Sequence, residues 1–282
     1  MEYRFKQIVI FFFIILIYAS CDQFEMRGFV AAYESADQRF DQSMEWNADH
    51  PYKQIQVSED DYKFFVMGDS HVGSTTNLDF FVQEAIKSKA TAVVMVGDIT
   101  MGYAENFETI QQHLPEKELM SSFLIPGNHD LYFDGWKKYY SLYGSSTYLF
   151  TVNTPKATDL FVCLDSASGT LGSKQIEWLK ELLKLERFDY RHCIIFTHNN
   201  LFRLRHTFSG NPYVEELQVL LELCAKYQVD MIISGHDHSR NEVVFGNTTF
   251  ITMDLLQDDS KNAGYFKLFI TNGEIEYEFV NL

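Results

Sequence analysis

The stretch Lys63-Phe64-Phe65-Val66-Met67-Gly68-Asp69-Ser70-His71 sets an unbroken apolar run directly before a glycine, a carboxylate and an imidazole. The stretch Ala92-Val93-Val94-Met95-Val96-Gly97-Asp98 repeats this arrangement further along the chain. Short runs rich in β-branched and aromatic residues predict buried strands, so both polar groups should stand where a strand ends. In α/β proteins, ligands bind at the edge of the sheet formed by the carboxyl ends of the strands.

Three more fragments follow apolar runs in the same way. They are Gly127-Asn128-His129-Asp130 after residues 122–125, His198 after 193–197, and Gly235-His236-Asp237-His238 after 231–234. Carboxylate, imidazole and amide oxygen are hard to borderline ligands, and no cysteine is among them, which favours Mn, Fe, Zn or similar divalent ions over a structural zinc knot. One Asp-x-His fragment is weak evidence, whereas five fragments in order predict a metal site.

The remaining pattern predicts the fold. Apolar residues at helical spacing in 78–86 lie between the strands at 63–67 and 92–96, which predicts a βαβ unit. The second alternation comprises a strand at 160–164, a helix at 173–185, a strand at 193–197, a helix at 214–227 and a strand at 231–234. Four short alternating runs follow, with hairpin turns at Gly246-Asn247 and Asn272-Gly273. We expect an α/β protein with a four-layer αββα sandwich, in which helices flank two mixed β-sheets over residues 61–282.

At these motifs the chain resembles the calcineurin-like metallophosphoesterase superfamily, whose pattern runs Asp-x-His, Gly-Asp, Gly-Asn-His-Asp/Glu, His, Gly-His-x-His. The segment 161–183, which contains Leu164-Asp165-Ser166, is similar to bacterial members. The resemblance implies an αββα sandwich and two divalent metal ions. One ion would take Asp69, His71 and His238, the other would take Asn128, His198 and His236, and Asp98 would bridge them.

The resemblance also implies a reaction. A water shared by two divalent ions loses its proton near neutral pH, and the resulting hydroxide attacks a phosphomonoester or phosphodiester. His129, which resembles the proton donor of active relatives, would protonate the leaving oxygen; alternatively it only orients Asn128. Many members place an aspartate at the position of Met101, where it orients the donor. Here Asp130, which we include in the catalytic set, or Glu105 would replace that aspartate, or His129 would be held less tightly.

Candidate substrate residues are Asn128, His129, Arg203, Arg205 and His206. The two arginines and His206 form a basic loop in an otherwise acidic chain, and this loop follows the predicted ligand His198. It would contact the substrate phosphate or be an ordinary solvated loop. Tyr132 and Phe133 would stack on a leaving group or, as we favour, pack in the core.

The first twenty residues predict export. Basic residues precede an apolar run at 8–18 that is shorter than the ~20 residues of a membrane span. Ala19-Ser20-Cys21 resembles the lipobox of bacterial lipoproteins, in which Cys21 is lipidated and anchors the mature chain to a membrane. The alternatives are an uncleaved anchor or a signal peptide without lipidation, and both still place the body outside the cytoplasm. Residues 21–60 would be a tether and an entry segment.

The net charge limits the classes of binding partner, and the cysteine spacing indicates the state of the thiols. The formal net charge of -16 disfavours nucleic acid as a partner, and hence a nuclease, so we expect a small phosphate ester as substrate. Cys163, Cys193 and Cys224 lie in apolar patterns without disulfide-like spacing, which indicates buried free thiols. The non-enzymatic alternative is a scaffold protein with the metallophosphoesterase fold. Such scaffolds typically lack metal ligands or the donor histidine, which this chain retains.

Overall fold

The structure, a computed structural model, describes residues 33–202 and 214–282. Its strands in chain order are β1 Lys53–Gln56, β2 Tyr62–Met67, β3 Ala92–Val96, β4 Ser121–Ile125, β5 Tyr148–Asn153, β6 Thr158–Leu164, β7 Cys193–Thr197, β8 Met231–Ser234, β9 Asn241–Phe245, β10 Thr248–Thr252, β11 Gly264–Thr271 and β12 Glu274–Asn281. Its α-helices are α1 Ala36–Asp49, α2 Thr76–Lys87, α3 Ala104–His113, α4 Gly135–Tyr143, α5 Gly172–Glu186 and α6 Val214–Tyr227. Short 3-10 turns follow β4 at His129–Asp134 and α5 at Arg187–Asp189.

The strands form two mixed sheets. The seven-stranded sheet has the order β1-β5-β6-β7-β8-β10-β9, and β6, β7 and β8 run parallel in its centre. The five-stranded sheet has the order β12-β11-β2-β3-β4, in which β2, β3 and β4 run parallel and β11 and β12 are antiparallel. The parallel strands of each sheet therefore bring their carboxyl ends, and the motifs that follow them, to one edge.

Alternation along the strands builds the layers. Phe64 and Val66 of β2 face the other sheet, where Phe161 of β6 and Phe196 of β7 join the same buried cluster. Phe65 lies on the opposite face of β2 and packs with apolar residues of α2. A third cluster packs β6, β7 and β8 against α5 and α6. Three apolar interfaces between four layers make the αββα sandwich that the sequence predicts.

The predicted elements agree with the structure to within a few residues, and the predicted Asn272-Gly273 turn joins β11 and β12 with positive φ at both residues. No element was predicted at the positions of α1, α3, α4, β1 or β5. The reason is clear for α1, which is mostly polar and buries Arg39 and Ser43 beside Phe40. A helix that buries polar side chains gives no apolar period to detect.

Helix α1, the first helix of the described residues, is nevertheless bonded closely to the sheets. A capping box of Ser35 and Gln38 starts α1, and Arg39 forms two hydrogen bonds with the Asp165 carboxylate, at 2.8 and 3.0 Å, after β6. The Arg39 side chain is fully buried, so this ion pair depends on both partners.

Two further predictions concern cysteines and membranes. Cys163, Cys193 and Cys224 are buried and free, as expected, whereas Cys21 lies outside the described residues. Within residues 33–202 and 214–282, no helix combines the length and apolar character needed to cross a bilayer.

Candidate metal centre

Strained turns position the predicted ligands. Asp69, His71, Asp98, His236 and His238 all have left-handed backbones, with φ between 40° and 72°. Residues other than glycine seldom adopt this region, although asparagine, aspartate and histidine do so most often, and each instance costs about 1–3 kcal/mol. Backbone hydrogen bonds between the two loops stabilise this left-handed conformation. The Asp69 amide donates to Gly97 O at 3.0 Å, and the His71 amide donates to Asp98 O at 2.9 Å.

The first group of ligand atoms combines both sheets. Asp69, His71, Asp98 and His238 each offer an atom within 4.8 Å of the others. The Nε2 atoms of His71 and His238 lie 3.2 Å apart, and His238 Nε2 lies 3.4 Å from Asp69 Oδ1. The His238 side chain keeps 32% of its surface exposed, so this open cluster, as we name the four residues, has access to solvent.

The second group shares Asp98 with the first and adds His198 and His236. His198 Nε2 lies 3.1 Å from His236 Nδ1, 3.1 Å from Asn128 Oδ1 and 3.3 Å from Asp98 Oδ2. All four side chains are buried. We name Asp98, Asn128, His198 and His236 the enclosed cluster.

The enclosed cluster fits a cation. His198 Nδ1 lies 2.9 Å from the Val96 carbonyl oxygen, to which it donates a hydrogen bond, so the neutral ring carries a lone pair on Nε2. The carboxylate and amide oxygens facing Nε2 are also electron-pair donors. Such convergence is stabilised by a proton or by a divalent ion.

The pKa values of the ligand side chains reflect the negative charge of the buried carboxylates. Burial lowers the pKa of His198, but the Asp98 carboxylate outweighs burial and raises it to about 10. Burial opposes ionisation of Asp98, yet His198 and neighbouring histidines hold the pKa of this carboxyl well below its usual range. Burial lowers the pKa of His71 to about 4. The anionic centre thus attracts positive charge, which a metal ion supplies when it replaces the proton.

A set of residues outside the predicted ligands holds the enclosed cluster. Ser166 Oγ accepts hydrogen bonds from the backbone amides of His198 at 3.1 Å and Asn199 at 2.8 Å. The neighbouring Asp165 pairs with Arg39. Helix α1 therefore supports the loop that carries His198, although Arg39 and Asp165 are 126 positions apart in the chain.

Asp130 has a different position from the one expected. Its carboxylate accepts hydrogen bonds from the amides of Ile99, Thr100 and Gly127 and from the Thr100 hydroxyl, at 2.7–3.3 Å. Four bonds use the acceptor capacity of a carboxylate. Burial and the nearby Asp98 raise the pKa of Asp130 to about 6. Asp130 therefore organises the loops around Asp98 and Asn128 instead of holding the His129 ring.

Two glycines are required by close approach. A Cβ at Gly97, where φ is +90°, would lie 2.5 Å from His198 Nδ1. A Cβ at Gly127 would overlap the Asp98 carboxylate. A side chain at either position would displace ligands of the enclosed cluster.

His129 lies at the margin of the centre. Its backbone amide donates to Asp98 Oδ1 at 2.8 Å, and its Nε2 lies 4.0 Å from Asp98 Oδ2. The ring contacts those of His71 and Tyr132, each at a centroid distance of 4.5 Å. Glu105 is exposed at the start of α3. His129 is thus placed beside the centre, with 19% of its side chain exposed.

The remaining predicted residues Arg203, Arg205 and His206 lie outside the described residues. No supporting role was predicted for Ser166 or Arg39, nor for the hydrogen bond from Asn200 Nδ2 to Asp237 Oδ2 at 2.8 Å, which joins the loops of His198 and His238. Asn200 lies two residues after the predicted ligand His198, and Asp237 lies between the predicted ligands His236 and His238; this proximity is the signal that could have identified them.

Comparison with known proteins identifies the family. The sequence profile of the calcineurin-like phosphoesterases matches residues 62–240, and the chain belongs to this family. A curated relative, an uncharacterized metallophosphoesterase of Helicobacter pylori, is 23% identical over 220 residues, which cover 75% of this chain and 54% of the relative. The chain thus spans about half the length of that relative.

Solved structures share the fold at low sequence identity. A dimetal phosphatase from Danio rerio is 14% identical with a TM-score of 0.65 and covers 78% of this chain and 96% of its own. GAP50, the anchor in the inner membrane complex of Plasmodium, is 15% identical with a TM-score of 0.61. The match covers 78% of this chain and 84% of GAP50. A putative 5'-nucleotidase from Staphylococcus aureus is 13% identical with a TM-score of 0.51 and covers 78% and 54%. Since one of these proteins is described as an anchor, function has to be argued from the site.

Proposed function

We propose that this protein is a binuclear metal-dependent phosphoesterase that hydrolyses small phosphomonoesters or phosphodiesters. The observation that carries the proposal is the sharing of Asp98 by the open and enclosed clusters. A carboxylate between two cations can offer an anionic oxygen to each and offset their repulsion. The open cluster would hold one ion and the enclosed cluster the other, with Mn, Fe, Zn or a similar divalent metal at each.

Each side chain has a task in this reaction. Bound divalent ions acidify water and offset the charge of the phosphoryl group. The Val96 carbonyl oxygen fixes the His198 ring, and the backbone amide of His236 donates to the Asp69 carboxylate, which keeps the enclosed cluster pre-organised. Asn128 presents its amide oxygen to the same cluster. His129 donates a proton to the leaving oxygen.

An activity screen tests the reaction class. Metal-free full-length protein is reloaded separately with Mn²⁺, Zn²⁺, Fe²⁺, Ni²⁺ or Mg²⁺ and assayed on chromogenic phosphate monoesters and diesters. We expect hydrolysis that requires one or more of these metals and disappears with a chelator. Absence of hydrolysis with every metal, in protein that binds two ions, would favour the scaffold alternative over an enzyme.

The role of His129 is tested by leaving groups. A positioned acid contributes about 10²–10⁴-fold and matters most for a poor leaving group. His129→Ala should therefore slow hydrolysis of an alkyl phosphate far more than that of a nitrophenyl phosphate, with metal content unchanged. His50→Ala, which alters an exposed histidine stacked on Trp46, is the matched control. Equal losses on both esters would assign His129 to binding or positioning.

We further propose export and anchoring through a lipid on Cys21, a position outside the described residues. The apolar run that ends in Ala19-Ser20-Cys21 supports this proposal. A Cys21→Ser variant should lose lipid-dependent partitioning into membranes. Mass spectrometry that found an unmodified Cys21 within an uncleaved chain would instead establish the uncleaved anchor.

A further inference from the structure

Two exposed aromatic side chains stand at the same sheet edge as the metal centre. Tyr103 follows β3 on the loop after Asp98, and Phe133 follows β4 on the turn after His129. Their rings stack with a centroid distance of 4.5 Å and an interplanar angle of 16°. Tyr103 is 46% exposed and Phe133 is 54% exposed. We name this stacked pair the aromatic platform.

The backbone of the platform is strained. Phe133 and Asp134 have φ of 56° and 63°, which interrupts the turn between His129 and α4. A bulky residue in the left-handed region is an outlier that needs a compensating gain. Its neighbours Leu131 and Tyr132 are buried, but Phe133 is turned outward. The strain therefore brings no core packing for the Phe133 ring, contrary to our expectation from the sequence.

A chain of ring contacts joins the platform to the proposed proton donor. The Tyr132 ring contacts His129 at a centroid distance of 4.5 Å and meets Phe133 edge-on at 6.3 Å. The adjoining loops are fixed closely, because a Cβ at Gly102 would overlap Tyr132 O and lie 2.9 Å from His129 O. A group that leaves toward His129 thus departs on the side of the molecule where the platform lies.

We infer that the aromatic platform binds a planar aromatic ring carried by the leaving group of the substrate, as in an aryl-bearing or nucleoside phosphate. This inference rests on the proposed phosphoesterase function and gives it a substrate class. Exposed aromatic faces stack on planar rings with little dependence on ring identity. The metal centre would then take the phosphate.

Paired substrates separate the ring from the reactivity of the leaving group. Adenosine 5′-monophosphate and ribose 5-phosphate release the same kind of primary alcohol, and only the first carries a base. Benzyl phosphate and cyclohexylmethyl phosphate form a second pair that differs in ring planarity. Mn²⁺-loaded full-length protein should show a higher kcat/KM, by roughly 10-fold, for the aromatic member. A preference in both pairs indicates any planar ring, whereas a preference in one pair identifies the nucleoside or the simple aryl source.

The double variant Tyr103→Leu with Phe133→Asn removes both rings, and asparagine tolerates the left-handed backbone. We expect it to lose the preference, mainly through KM, while ribose 5-phosphate hydrolysis changes less than about 2-fold because the rings stack on the base alone. Phe188→Leu alters an aromatic side chain that is 65% exposed elsewhere and should keep the preference. A double variant that keeps the preference, or a wild-type protein that hydrolyses the esters without any preference, would overturn the inference.

Binding distinguishes this inference from the proposed reaction. Benzylphosphonate and cyclohexylmethylphosphonate lack the scissile ester oxygen and are titrated calorimetrically into the Mn²⁺-loaded protein. If no ester is hydrolysed but benzylphosphonate binds more tightly, and the double variant loses that difference, the platform stands and the enzyme proposal fails. If esters are hydrolysed and neither rates nor binding distinguish the rings, the platform fails alone.

Discussion

The open and enclosed clusters share Asp98 but differ in how the fold holds them. In the enclosed cluster, His198 is fully buried, its ring is fixed by Val96 O, and its backbone is fixed by Ser166. In the open cluster, His238 is 32% exposed. Buried ligands with fixed outer partners lose little freedom when they bind an ion. We therefore expect an ion in the enclosed cluster to exchange more slowly than an ion in the open cluster.

The shared carboxylate should produce the largest effect. Asp98→Asn removes the anionic oxygen that both clusters use, so both ions should be lost or weakly held. Loss of a residue that only supports a metal ligand costs at most about 100-fold in activity. Asp98 is itself a proposed ligand of both ions, so its replacement should lower activity by more than that. Elemental analysis and initial rates check this prediction. Full occupancy of two ions in the variant would show that Asp98 does not bridge.

A second variant addresses the enclosed cluster alone. Asn128→Ala removes an amide oxygen that lies 3.1 Å from His198 Nε2 in the enclosed cluster. About one ion per chain should remain, since a ligand of only one ion is lost. Loss of both ions would show that the two clusters fill only together. His238→Ala, the reciprocal change, should retain the other ion.

The buried support of the enclosed cluster can be removed from a distance. Arg39→Ala leaves the buried Asp165 without its partner, and breaking a buried pair costs about 3–5 kcal/mol of unfolding free energy. Lys174→Ala is the matched control, because it breaks an exposed pair with Asp41, which also lies on α1, and should cost only about 0–1 kcal/mol. Chemical denaturation measures both. Similar stabilities of the two variants would contradict the role given to α1.

Ser166→Ala should produce the smallest effect. It removes the acceptor of the His198 and Asn199 amides without removing a ligand. Losses of 10–100-fold are typical for outer partners, and we expect about 10-fold in metal affinity because Ser166 fixes the backbone and not the ring. Ser141→Ala, on an exposed helical surface, is the control. Unchanged metal affinity would show that β7 alone positions His198.

The sequence predicted those parts of the fold whose signal is local. Buried strands such as β3 and β7 are unbroken apolar runs, and each ends in a polar motif at the same sheet edge. The structure brings Asp69, Asp98 and His198 together there. The βαβ order of the first part and the short runs with hairpin turns of the last part also predicted the two mixed sheets of the sandwich.

The parts that escaped prediction depend on contacts distant in sequence or on backbone geometry. Arg39 pairs with a residue 126 positions away, so nothing near it in the chain predicts its burial. The left-handed backbone of His71 has no residue signature, because φ there is set by the hydrogen bond to Asp98 O. For the same reason Phe133 was expected in the core, whereas its positive φ turns it outward.

The central claim is that two ions share one carboxylate, and spin coupling tests it most directly. Two-metal sites place their ions about 3.5–4 Å apart, a separation at which a bridging carboxylate couples two Mn²⁺ ions magnetically. Electron paramagnetic resonance of protein titrated with Mn²⁺ should show two ions per chain with the spectrum of a coupled pair, and Asp98→Asn should abolish that spectrum. A single ion per chain, or two ions with independent Mn²⁺ spectra, would contradict the account.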